Sequence, residues 1–317
     1  MKKKRFIALI FSIISIFAMV GCEKETSSIE TESKFNIVFP EEEIREYIEK
    51  ARENEEDIDK LYEEIIYEPI RVGFREGTSY TDDHIPRVQY SIKNLDKLEN
   101  QLEIFIESDI VQIAKEALDK CDDVLFSGGT TVYIMSFDPN NIYFPIGPVE
   151  GITSTNGKIL VEVNPMIGDW ETLFPHIIAH EYHHSVSMDK DKERVFTMLD
   201  ALLFEGRADL FANIVYPDLE TSWTSLLPII REKEIWNKIK ENLNSVDYKY
   251  QREIMFGGVK GIPTNCGYKI GYNIMQEFIK NNPDVSVEEW TGMKAEEIFE
   301  KSGYEESLEK RLKEYNN

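Results

Sequence analysis

The sequence predicts an α+β fold: a helical N-terminal region, a small mixed sheet, one helix carrying a cluster of histidines, and a mainly helical C-terminal lobe. Three observations lead there. Apolar residues recur at helical spacing in two early blocks, Glu41 to Ile66 and Leu95 to Ala117. Short β-rich runs separated by glycines then occupy the stretch from Val124 to Val163. Beyond Pro165 helical patterning returns almost to the end, broken at Pro217 and in the loop from Gly257 to Pro263.

In chain order, Lys2, Lys3, Lys4 and Arg5 form a basic stretch ahead of the apolar run Phe6 to Val20, which is too short to cross a bilayer comfortably. This is the pattern of an export signal. It ends in Met19-Val20-Gly21-Cys22, which resembles the lipobox of bacterial lipoproteins, with Met19 where leucine is usual. The resemblance implies that residues 1–22 are a lipoprotein signal peptide, that Cys22 is the lipidation site, and that the protein is extracytoplasmic and lipid-anchored to a bacterial cell membrane. An ordinary secretory signal and a simple transmembrane anchor are the alternatives. Residues 23–40 are assigned to a flexible tether, because Glu23 to Lys34 is polar and lacks apolar periodicity.

Residues 41–120 are expected to be a helical N-terminal region. Ile44, Tyr47, Ile48, Ala51, Ile58, Leu61, Tyr62 and Ile65 make one apolar stripe, and Leu98, Leu102, Phe105, Ile106, Ile110 and Ile113 another. Residues 121–317 then form the second domain. Val124-Leu125-Phe126 and Thr131 to Met135 read as strands around a Ser127-Gly128-Gly129 turn, and Lys158 to Val163 as a further strand. Asp169 can cap the helix that follows, while Pro175 must lie near its first turn or kink it.

The 317 residues, 42% of them hydrophobic, suffice for a sizeable core. Net charge is -23, and because the leader holds four basic residues and no acid, the remainder is near -27. Nucleic acid is excluded as a partner, since phosphate binding needs clustered Lys and Arg. Past Cys22 only Cys121 and Cys266 remain, and their spacing does not decide whether they pair.

Residues 180–184 are His-Glu-Tyr-His-His. His180 and His184 lie one helical turn apart on one face and can close on a single zinc ion, while Glu181 can act as general base toward the water such an ion activates. A catalytic zinc takes three protein ligands and keeps a fourth position open. A third histidine soon after the motif is ruled out by Ser187 and Lys190. In Leu203-Phe204-Glu205-Gly206-Arg207-Ala208-Asp209, Glu205 can ligate while Asp209, four residues on, fixes the outer nitrogen of a ligand histidine. His176 also stands four residues from His180, but Glu181 sets the register; His176 is left as a support for a ligand or a substrate-side group, and His183 as structural.

His-Glu-x-x-His followed by a helix bearing Glu205 and Asp209 is similar to the gluzincin, thermolysin-like class of metallopeptidases. Within it, Phe204 to Asp209 together with Cys266-Gly267-Tyr268-Lys269-Ile270-Gly271-Tyr272 resembles a bacterial family of zinc-dependent proteases catalogued as a domain of unknown function. The likeness covers about the C-terminal two-thirds, from Val124 to Tyr304. It implies a zincin-like fold, zinc as cofactor on His180, His184 and Glu205, Glu181 as base, Asp209 behind His180, and a peptide or protein substrate. It also implies a phenol or imidazole donor for the oxyanion, with Tyr268 the first candidate and Tyr272 and His176 behind it; Gly267 and Gly271 themselves most simply allow close helix packing. Zincins align substrate on an edge strand before the metal helix, and Lys158 to Asn164 stands in that place, although the segment also reads as core. Two other functions fit the sequence: a binding or sensing lipoprotein without peptidase activity, and a metal-dependent hydrolase of something other than a peptide.

Overall fold

Strands β2 (Thr130–Ser136) and β4 (Lys158–Val163) are apolar on both faces because the sheet they centre is covered on both sides. Successive side chains point in opposite directions. Val132, Ile134, Ile159, Val161 and Val163 enter one core, with α5 (Ile110–Val124), α6 (Trp170–Lys190) and α7 (Met198–Val215). Tyr133, Met135 and Leu160 enter the other, with α1 (Glu41–Glu53), α3 (Glu68–Arg75) and α4 (Leu95–Glu107). The computed structural model describes residues 34–54, 57–79, 85, 88–137, 147–190, 196–219, 221, 223–225, 227–258 and 261–317. The leader, Cys22 and the tether up to residue 33 lie outside the described residues.

The sheet is mixed, with strand order β1-β2-β4-β3. β1 (Phe35–Val38) runs parallel to β2, β2 parallel to β4, and β3 (Val149–Ser154) antiparallel to β4. Two expectations change as a result. Residues 35–38, placed in the tether, form a strand whose Phe35 is buried under α5. The segment from Lys158 to Asn164, read both as core and as a substrate-aligning edge, is core and not edge: β4 is paired on both sides, and the edge facing α6 is β3.

The run Val124-Leu125-Phe126 is a helix end and not a strand. Val124 closes α5, the Leu125 amide still donates to Cys121 O at 2.8 Å, and the Leu125 carbonyl accepts from the Tyr182 hydroxyl at 2.7 Å. With its backbone groups engaged this way, Leu125 has none free for a ladder. Extended pairing begins only after Gly128 and Gly129, both at positive φ. The division expected at residue 120 therefore falls inside α5, which packs on α6.

The first helical block is α1, then α2 (Ile58–Tyr62) running through a π turn at Glu63–Tyr67 into α3, and the second is α4 and α5. The C-terminal lobe adds α8 (Ile229–Ile239), α9 (Tyr248–Phe256), α10 (Cys266–Asn281), α11 (Val287–Gly292), α12 (Ala295–Ser302) and α13 (Tyr304–Tyr315). Buried Glu232 ties α8, α10 and α13 together: it accepts from Asn273 Nδ2 at 2.9 Å, the Tyr304 hydroxyl at 2.9 Å and both terminal Arg311 nitrogens at 3.0 Å. A buried carboxylate needs this degree of pairing. Cys121 and Cys266 are separate buried thiols, so the possible disulfide between them does not form. Among the described residues no helix is long and apolar enough to cross a membrane.

Candidate metal centre

Helix α6 begins where Asp169 accepts from the Thr172 amide at 3.3 Å, and it continues through Pro175 to residue 190. It packs against β3 and β4, α5 and α7, so His180, Glu181 and His184 are all buried. Helix α7 starts from a capping box in which the Thr197 hydroxyl accepts from the Asp200 amide at 3.2 Å and Asp200 Oδ2 accepts from the Thr197 amide at 2.9 Å. That start fixes which face of α7 meets α6.

The meeting brings three donor atoms together. His180 Nε2 lies 3.0 Å from His184 Nε2 and 3.2 Å from Glu205 Oε2, and His184 Nε2 lies 3.4 Å from the same oxygen. Two ligands each bonded at zinc's usual length in a tetrahedral shell sit about 3.3 Å apart, so the spacing suits that ion. The chemistry of the set agrees: two imidazole nitrogens and a carboxylate converge with no proton-sharing scheme that satisfies all three pairs. His180, His184 and Glu205 can hold a metal ion together.

The surroundings orient these atoms. Asp209 Oδ1 accepts from His180 Nδ1 at 2.9 Å and from Trp223 Nε1 at 3.0 Å, which fixes the ring with Nε2 turned toward the other two donor atoms. The His184 ring stacks on Phe204 at 3.9 Å between centroids, so α7 delivers the carboxylate and the surface that aligns a histidine from adjacent positions. Burial opposes charge on His180, yet Asp209 and Glu205 outweigh it and hold the imidazole well above its ordinary range. Burial likewise pushes the Glu205 carboxyl up, but His184 and His180 bring it down to about 2.

Glu181 points toward the edge strand. The Thr153 hydroxyl on β3 reaches Glu181 Oε2 at 2.5 Å and the Glu181 carbonyl at 3.0 Å, one donor shared between two acceptors. Gly151, on the same strand, is required by this approach: a Cβ there would overlap the Glu181 side chain.

Tyr268 shares the lining of one cavity with Glu205. Burial and the nearby charges of Glu205, Asp209 and Glu181 push its phenol well above the usual range, so it stays protonated. The other two donor candidates lie differently. Tyr272 is under Lys269, whose ammonium is 5.6 Å from its ring, and His176 packs edge-on to Trp223 at 6.3 Å. Burial, with the neighbouring His180, lowers His176 to about 4 and keeps it neutral. Its contact is with the tryptophan that supports Asp209, not with the three converging atoms. His183 stacks on Trp290 at 5.3 Å and meets Thr291 Oγ1 at 3.3 Å, and it is not among the three converging residues.

The glycines of α10 have a packing role. A Cβ on Gly271 would overlap the Leu202 carbonyl, and one on Gly206 would overlap the Gly271 backbone, so α7 and α10 touch main chain to main chain. This contact brings Tyr268 beside Glu205. Sequence reasoning missed Thr153, Gly151 and Trp223. The one available signal was a tryptophan in the otherwise polar stretch Thr221 to Ser225.

Residues 110–300 match the model of a family described as a predicted Zn-dependent protease (DUF2268), a span that contains every residue of the candidate metal centre. The chain is 25% identical over 233 residues to the uncharacterized protein YjfC of Bacillus subtilis (strain 168), covering 67% of this chain and 76% of that protein. No solved structure matches the chain.

Proposed function

We propose, from the premise that this chain belongs to the family of predicted Zn-dependent proteases, that it is a gluzincin-like metallopeptidase of zincin-like architecture. The observation that carries the reading is the convergence of His180 Nε2, His184 Nε2 and Glu205 Oε2 within 3.4 Å, with Glu181 on the same turn facing an edge strand. Zinc held by these three residues would supply Lewis acidity, polarising a scissile carbonyl and acidifying water. Glu181 takes the proton from the attacking water and returns it to the departing amine. Thr153 holds the Glu181 carboxylate in place for that transfer. Tyr268, kept protonated, donates to the oxygen that becomes negative as the tetrahedral species forms. β3 is the outermost strand of the sheet among the described residues, where an extended peptide can add by backbone pairing, and Gly151 lets that strand approach the base closely.

The purified full chain is expected to carry about one zinc and to cut a denatured protein or peptide library. Chelation should abolish cleavage and added zinc should restore it. Zinc binding without cleavage of any peptide would leave a binding or sensing lipoprotein, or a hydrolase of another substrate, as the better account.

We also propose that the protein is extracytoplasmic and held to the membrane by lipid on Cys22, a reading supported by the basic, apolar and small-residue-then-cysteine order of residues 2–22. Metabolic labelling with a fatty acid should mark the wild type and not Cys22→Ser. Equal labelling of both would refute the anchor.

A further inference from the structure

The cavity shared by Glu205 and Tyr268 measures about 420 Å³ and opens on a cluster of exposed apolar side chains. Single exposed hydrophobics are common, but a group of them around one concavity is not. Here Phe196 is 44% exposed, Val246 59%, Tyr248 69% and Phe256 39%, and all four line this cavity. The walls are held in place. Arg252 lies 5.8 Å from the Tyr248 ring and 5.4 Å from the Phe256 ring, and Gln251 Nε2 donates to Phe196 O at 2.9 Å and Ser245 O at 3.0 Å. A larger cavity of about 600 Å³ shares Phe196 and Phe204 with it but reaches neither Glu205 nor Tyr268.

We infer that the smaller cavity is a side-chain specificity pocket, which receives an aromatic or large aliphatic residue of the peptide beside the bond that is cut. The inference rests on the peptidase reading and adds the substrate class. Apolar walls that water now wets release that water when a side chain of matching chemistry enters. Glu205 and Tyr268, which line the cavity, put that side chain next to the reacting atoms. Arg252 leaves the pocket unsuited to a cationic side chain.

The test uses the zinc-loaded full chain and a peptide set varied at one position. Wild type should cut beside Phe, Tyr, Leu or Met at least ~10-fold faster, in kcat/KM, than beside Ala or Lys. Val246→Asp, on the exposed rim, should unfold at the wild-type temperature. It should lose ~10-fold on the Phe peptide and shift its relative preference toward Lys. Phe256→Ala gives an independent check by widening the pocket and weakening the preference for Phe. Cleavage with no side-chain preference, or with a preference unchanged in both variants, overturns this inference alone. No cleavage by wild type overturns the peptidase reading and this inference with it.

Discussion

His184→Ala and Glu205→Ala are each expected to purify with far less than one zinc per chain. Each removes one of three donor atoms that lie within 3.4 Å of one another, and nothing in the substituted side chain can bond a metal. Loss of a hydrogen bond that merely supports a ligand costs about 10–100-fold in metal affinity. Loss of the ligand itself should exceed that. Asp209→Asn supplies the internal scale, because it weakens the partner of His180 Nδ1 and leaves the three converging atoms in place. The expected order of zinc content, measured by mass spectrometry after dialysis against a weak chelator, is wild type, then Asp209→Asn, then the two alanine variants. Full occupancy in Glu205→Ala would remove Glu205 as a ligand and promote Asp209 in its place.

The chemistry of this site was more legible than the sheet that frames it. His180 with His184, and Glu205 with Asp209, stand at i, i+4, and an α-helix converts that spacing directly into a shared face. Helices α1 and α4 were likewise readable, because each buries one stripe and leaves the other wet. By contrast α6 and α7 are buried nearly all round, so periodicity says little about them and the motifs alone located them. The two edge strands escaped for separate reasons. β1 has four residues and follows a polar run, so nothing local distinguished it from the tether. β3, Val-Glu-Gly-Ile-Thr-Ser, has a glycine that resembles a turn signal but serves to admit the Glu181 side chain. With β3 hidden, β4 reads from sequence as either core or a substrate-aligning edge. Contacts joining distant segments, such as Trp223 to Asp209 or Thr153 to Glu181, leave no trace in spacing.

Glu181→Gln separates catalysis from structure. Glutamine keeps the length and shape of the side chain, and its carbonyl oxygen can still accept from the Thr153 hydroxyl, so the fit against Gly151 is preserved. It cannot accept a proton from water at neutral pH. Zinc content and thermal unfolding should therefore match wild type, while peptide hydrolysis falls by at least ~10²-fold, the low end of what a general base contributes. Tyr268→Phe should give a smaller loss, mainly in kcat, as expected of a donor engaged chiefly in the transition state. The most direct measurement is the hydrolysis rate of one susceptible peptide by wild type and Glu181→Gln, each loaded to one zinc per chain and freed of contaminating protease. A drop of ~10²-fold or more at equal zinc content is the predicted result; equal rates would contradict the account.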